Sequence, residues 1–233
     1  LFNWSNNQVT EDLNDIENGE YSVNVSDNSN QVVNKRIAIL SCVKWHKNIG
    51  IELIGNNLKK SASSQWGNAG AYSLNLLKSS ETGFVQYIVD NQTDYFAFGL
   101  DIQDTLIPVD FSLIKYAYVS INRSLFISSY GKIVASFGRI KKNDVLKILK
   151  IGDRFEYYKN DILIFKTENS DKNNDLRIEV SLYKRNSEMN NLKASFFRPK
   201  FELDFLKQDI SSYESNNGMI DLIPKYGLAP YSY

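Results

Sequence analysis

Apolar and polar residues alternate along most of this chain, which is the two-residue period of strands with one buried face; a helical period is almost absent. In Glu20–Ser26 the residues Tyr21, Val23 and Val25 fall on one face, and Asp27, Asn28, Ser29 and Asn30 follow as turn formers. From about Val33 the segments become longer and more apolar. Strands are predicted over Asn48–Ile54, Gly83–Val89, Asp94–Leu100, Ile114–Ser120, Ser124–Ser128 and Lys132–Phe137. Others follow over Asp144–Leu149, Arg154–Tyr158, Asp161–Phe165, Leu176–Tyr183 and Leu192–Phe197. Roughly a dozen short strands at close spacing call for an antiparallel jelly-roll sandwich rather than a parallel α/β sheet. Two hairpins are legible. Asn160-Asp161 suits a two-residue turn that sets Tyr157 opposite Phe165 or nearly so, and Ser129-Tyr130-Gly131 serves the same end. After Pro199 the stretch Glu202 to Asn217 reads as a connector.

The two ends alternate in one phase. Read tail to head, Tyr231, Tyr233, Phe2 and Trp4 are every second residue, with Leu1 the one imperfect position on the other face. The expectation is a single strand shared by residues 203–233 and 1–31, closed within one molecule or between successive copies of an array. Tyr233 would then lie within peptide-bond reach of a Leu1.

Composition narrows the partners. Lys and Arg total 27 and Asp and Glu total 27, so no net charge draws the chain to nucleic acid or an anionic membrane. Hydrophobic residues make up 42% and aromatics 13%, as a packed chain requires. No apolar run approaches a membrane span, so no membrane insertion is expected. The single cysteine, Cys42, excludes an internal disulfide and is expected in the core.

Trp4-Ser-Asn-Asn-Gln-Val-Thr-Glu-Asp-Leu, running on through Gly19-Glu-Tyr-Ser-Val-Asn-Val-Ser-Asp27, resembles the second half of an SprB-type repeat. Gly218-Met-Ile-Asp-Leu222 and Gly227-Leu-Ala-Pro-Tyr231 resemble the first half; Lys225-Tyr226 departs from the small or polar residues usual there. The resemblance implies an immunoglobulin-like sandwich from the gliding-motility surface adhesins of Bacteroidetes, exported by type IX secretion. Between the halves, Ile49-Gly-Ile-Glu-Leu-Ile-Gly-Asn-Asn-Leu58, Trp66-Gly-Asn-Ala-Gly-Ala71 and Phe155-Glu-Tyr-Tyr-Lys-Asn-Asp-Ile-Leu163 are similar to concanavalin A-like jelly-roll modules, with an SPRY-like hairpin. The expected organisation is therefore a C-terminal half-repeat over 1–32, a jelly roll over 33–202 and an N-terminal half-repeat over 203–233.

The residues offer little chemistry. A jelly-roll glycosidase needs two carboxylates on one strand face; Glu202-Leu-Asp204 has the alternation without a third acid, and Glu179 has no carboxylate two residues away. His46, the one histidine, allows no two-histidine metal site and is expected at a strand end on the surface. Gly67-Asn-Ala-Gly70 reads as a tight turn beneath Trp66, not a phosphate loop. Asn169–Asp175 is rich in Asp and Asn, but its spacing matches no calcium loop. No cofactor and no metal are expected. Trp45 and Trp66 are the candidate ligand-binding residues, since indole faces stack on sugars; core packing is the alternative for both. Trp4 is expected in the core.

The resemblances together imply a non-catalytic repeat unit of an extracellular bacterial adhesin filament, working in adhesion or gliding, with neighbouring repeats head to tail and surface glycans as partners. The alternative is a carbohydrate-binding lectin module. A groove lined by Trp45 or Trp66 with convergent polar groups favours the lectin; smooth polar faces favour the spacer.

Overall fold

A computed structural model describes residues 1–233 except 17, 91–93, 103–105, 169, 171, 198–201, 214–215 and 226–233, with backbone alone at Glu20, Glu202 and Lys225. It divides into two compact units, Leu1–Phe197 and Arg198–Tyr233. Its regular elements are strands and one short 3-10 turn, Phe111–Leu113, among the described residues. Tyr231 and Tyr233, on which the shared-strand expectation falls, lie outside the described residues.

The first unit opens with a three-stranded antiparallel sheet of β1 (Phe2–Trp4), β2 (Gly19–Ser26) and β3 (Val32–Ile39). The expected boundary at 32 falls at the start of β3. Val32–Ile39 pairs along the whole of β2, Ser26 with Val32 through Gly19 with Ile39, because its alternation continues that of β2. Trp4 is half-buried rather than core, its indole N–H donating to the Thr10 carbonyl at 2.9 Å.

The sandwich follows in the order β4 (Ser41–Cys42), β5 (Trp45–Ile49), β6 (Ile51–Ile54), β7 (Asn57–Lys60), β8 (Gly70–Leu77) and β9 (Gly83–Ile88). Next come β10 (Phe96–Ile102), β11 (Tyr116–Ile121), β12 (Ser124–Ser129), β13 (Lys132–Arg139) and β14 (Val145–Ile151). It ends with β15 (Arg154–Lys159), β16 (Ile162–Glu168), β17 (Leu176–Leu182), β18 (Glu188–Met189) and β19 (Leu192–Ala194). One sheet runs β13-β12-β11-β10-β17-β8-β5, and the other runs β16-β15-β14-β9-β19-β4. The chain crosses between them after β4, β8, β9, β13 and β16, and again from β17 by way of β18 to β19, so both inner faces are built from distant segments.

Aromatic rings join the two faces. Tyr116 stacks on Phe155 at 3.8 Å, Tyr118 meets Tyr157 edge-on at 5.3 Å, and Tyr87 meets Phe96 and Phe98 at 5.2 and 5.8 Å. The Tyr118 hydroxyl donates to the Tyr158 carbonyl of the opposite sheet at 2.9 Å, which satisfies a polar group that the core would otherwise strand. Tyr157 and Phe165 are register partners, as expected, with rings 5.8 Å apart. Their turn, Asn160-Asp161, has both residues at positive φ, the geometry that tight hairpins require.

Some expectations are corrected. Asn48–Ile54 is not one strand. At Gly50 (φ +60°) a side chain would meet the Asn68 carbonyl at 2.1 Å, and the chain turns from β5 in the seven-stranded sheet to β6, which pairs with β7. Cys42 is exposed on an edge strand, and Val43 takes the core position. The supposed connector after Pro199 contains β20 (Glu202–Gln208), which forms an antiparallel hairpin with β21 (Met219–Lys225). Its residues Leu203, Phe205, Ile220 and Leu222 share one exposed apolar face.

Truncating Phe155 or Tyr157 to Ala should cost about 3–5 kcal/mol. Lys159→Ala should cost about 1 kcal/mol or less, since that side chain has only the Asp144 ion pair at 3.2 Å and the Arg139 carbonyl to lose. Chemical denaturation of the three variants checks the order; equal small losses would mean the sheet is misplaced.

Candidate functional site

At one end of the sandwich four half-buried aromatic side chains form a chain of contacts. Trp66 lies in the loop between β7 and β8, Phe111 in the 3-10 turn, Tyr183 just past β17 and Tyr95 just before β10. Trp66 meets Phe111 at 5.1 Å and Tyr183 at 5.5 Å, and Tyr183 meets Tyr95 at 5.1 Å. Each ring enters from a different element, so only the folded chain assembles the group.

Charged residues border it. The Lys184 ammonium sits 5.2 Å from the Tyr95 ring centre and 3.1 Å from Asp94 Oδ2, while Arg123 Nη1 reaches Asp94 Oδ1 at 3.0 Å. Partial burial works against the ionised Asp94, but the hydrogen bonds and charges of Lys184 and Arg123 outweigh it and hold the carboxyl below its ordinary value. One carboxylate thus holds two cations, one of them, Lys184, over an aromatic face. That combination suits a polyhydroxylated ligand, which needs flat apolar surface and fixed donors and acceptors together.

The loop carrying Trp66 is held from several sides. Gly67 (φ +86°) forms the tight turn expected of it and donates its N–H to the Val109 carbonyl at 3.0 Å. The Lys60 ammonium, fully buried, donates to the Gln65 carbonyl (2.7 Å), Asn68 Oδ1 (2.6 Å) and the Leu182 carbonyl (2.7 Å). Burial pulls its pKa down to about 8.

Behind the aromatic group, the segment from Leu106 to Ile114 covers part of the outer face of the seven-stranded sheet. Ser181 Oγ donates to the Val109 carbonyl at 3.0 Å, and a side chain at Gly70 would meet the Pro108 carbonyl at 2.0 Å. Beneath it Arg177 is buried against Glu179, Nη2 to Oε1 at 2.7 Å, and also donates to the Leu106 carbonyl at 2.6 Å. Its guanidinium lies 3.6 Å from the Tyr72 ring centre. Glu179, which sequence reading set aside for lack of a carboxylate partner, is thus one half of a buried ion pair.

Of the two sequence candidates, Trp66 belongs to the site and Trp45 does not. Trp45 is 8% exposed within the main core, and its indole N–H donates to the Asn56 carbonyl at 2.9 Å, so no face is free for a ligand. Lys44 and His46, one residue to either side, mark the opposite face of the strand, and Lys47 is exposed because the register shifts between Trp45 and Lys47. His46 is exposed as expected, 5.5 Å from the Tyr72 ring. Asp204 is exposed on β20 of the second unit; Asp175 of the Asn-rich loop pairs with Lys78 at 2.8 Å. Tyr183, Tyr95 and Phe111 were missed. Tyr95 and Tyr183 fell inside the predicted strands Asp94–Leu100 and Leu176–Tyr183, whereas β10 starts at Phe96 and β17 ends at Leu182, and Phe111 stood in a stretch with no predicted element. A cavity of about 200 Å³ lined by Trp4, Leu13, Ile16 and Ile37 lies elsewhere, in the three-stranded sheet region, and is smaller than most ligand pockets.

No known family model matches the chain, and no curated protein matches its sequence. Solved structures resemble it. A human SPRY domain is 16% identical, covering 63% of this chain and 96% of that one with a TM-score of 0.44. The carbohydrate-binding module CBM66 from Bacillus subtilis is 14% identical, covering 67% and 93% with a TM-score of 0.39. The alginate lyase AlgAT5 of polysaccharide lyase family 7 is 10% identical with a TM-score of 0.37; the match takes in 56% of this chain and 66% of the lyase. These are likenesses of fold.

Glu179→Ala should destabilise the chain by about 3–5 kcal/mol, because it leaves the Arg177 charge buried without its partner. Replacing both with apolar residues should recover part of that loss, as read from urea midpoints. A single-variant loss under about 0.5 kcal/mol would place the pair in solvent.

Proposed function

We propose that this chain is a carbohydrate-binding β-sandwich module within a repeating, extracellular bacterial adhesin, and that it is not an enzyme. The observation that carries the reading is the Trp66, Phe111, Tyr183 and Tyr95 group, edged by Lys184 and Asp94. Aromatic surface bordered by charged groups favours a lectin over a smooth polar spacer. The carboxylates near it support a binding role, since Asp94 is bound to two cations and Glu179 is sealed beneath the Leu106–Ile114 segment.

The repeat reading has a separate support. The three-stranded sheet exposes Val33 and Ile37, and the β20–β21 hairpin exposes Leu203, Phe205 and Ile220. Sheets of two or three strands are marginal alone, and in an array apolar faces of that kind are covered by neighbours. Head-to-tail copies of the same unit would supply the cover, and attachment or gliding would be the work of the filament.

Titration of the whole chain against a panel of soluble neutral and acidic oligosaccharides tests the binding role. Trp66→Ala and Tyr183→Ala should each weaken the best ligand about tenfold while the melting transition stays cooperative. No binding across the panel, or unchanged affinity in both variants, would overturn the assignment. Turnover of any of these glycans that Glu202→Gln abolishes would overturn the non-catalytic reading.

A further inference from the structure

A buried lysine commonly faces a carboxylate. Lys60 instead spends all three N–H donors on neutral oxygens, and their positions are informative. Gln65 is the residue before Trp66, and Leu182 is the residue before Tyr183. One ammonium therefore ties together the backbone immediately behind both rings of the central contact. The third acceptor, Asn68, is itself fixed, its Nδ2 donating to Ser63 Oγ at 3.0 Å and to the Ser63 carbonyl at 3.2 Å. Strand β7 also anchors the far side, with Lys60 N–H donating to the Ser187 carbonyl at 2.9 Å and its carbonyl accepting from Asn186 N–H at 2.9 Å.

We propose that Lys60 is the positioning residue of the aromatic platform: its ammonium clamps the 61–69 loop to the end of β17, and discharging that ammonium loosens Trp66 from Tyr183. The clamp is a matter of donor count. A neutral amine keeps two N–H groups for three acceptors, so one carbonyl or carboxamide oxygen loses its partner in a buried place. The charged groups around it are Lys59 with its partner Glu188 (3.8 Å), Glu52 across from Lys59 on β6, and Lys184 and Arg185 in the following turn. The 61–69 loop contains no charged residue. Burial alone lowers the Lys60 pKa, to about 8, so the discharge falls just above neutrality.

The consequence for a ligand rests on the binding role proposed above; the clamp does not. Hydrogen–deuterium exchange of the full chain, corrected for intrinsic rate, is followed between about pH 6.5 and pH 9.5. Protection of the 61–69 segment in the unaltered chain should fall about tenfold with a midpoint near pH 8, while β10 stays protected. Lys60→Met should show low, pH-independent protection there. Asn68→Asp, which places a carboxylate against the ammonium, should keep the segment protected across the range. Wild-type protection independent of pH, full protection in Lys60→Met, or an unmoved midpoint in Asn68→Asp would each overturn the clamp. Where Lys60→Met fails to fold, the wild-type and Asn68→Asp profiles decide. Failure of every oligosaccharide to bind would sink the ligand reading while leaving this result standing.

Discussion

Two sheets that contribute inner faces from interleaved stretches of sequence can pack only if their rings interlock, and that constraint governs everything else in the sandwich. Tyr116 against Phe155, Tyr118 against Tyr157 and Tyr87 against Phe96 and Phe98 span the layer between β10, β11 and β17 on one side and β9, β14 and β15 on the other. Fixing those rings fixes the register of the central strands. The strand ends, and the loops they launch, then have only one place to go. Trp66, Phe111, Tyr183 and Tyr95 meet because the inner layer has already aligned β8, β10 and β17.

Close backbone approach then does what side chains cannot. Gly50 lets the chain leave one sheet for another beneath Asn68, and Gly70 lets the Pro108 backbone lie flat on β8. Either substitution would push apart segments that frame the aromatic group. The small residues and the large ones are thus parts of one arrangement: the glycines bring loops in, and the aromatics fill what remains.

Fold class was readable because strand alternation and tight-turn chemistry are local. Asn160-Asp161 announces its hairpin, and Tyr157 and Phe165 follow as partners. What depends on tertiary environment was not readable. β8 is buried on both sides, so it lacks the alternation of a strand with one wet face. The Asn48–Ile54 run alternates well, yet the Asn68 backbone breaks it at Gly50. Cys42 and Val43 are adjacent, and only pairing with β19 decides which of the two faces in. Trp66 was visible as a candidate, but its three ring neighbours come from distant loops, and no local pattern links them. Lys60 gave no signal, because nothing in Asn57–Lys60 distinguishes a buried ammonium from a solvated one.

If the proposed glycan role holds, the cover that Leu106–Ile114 lays over the seven-stranded sheet limits how much of a polymer could lie on that face. With Arg177 and Glu179 at 2% and 3% exposure beneath it, that part of the broad face is closed, and a long glycan cannot lie across the sheet there. On the proposed reading, a glycan held at the aromatic group would touch only a few of its sugar units there. Grip at one such group would be modest and quickly reversed, and firm hold would come from valency, many copies engaging one polymer so that each release is followed by recapture before the rest let go.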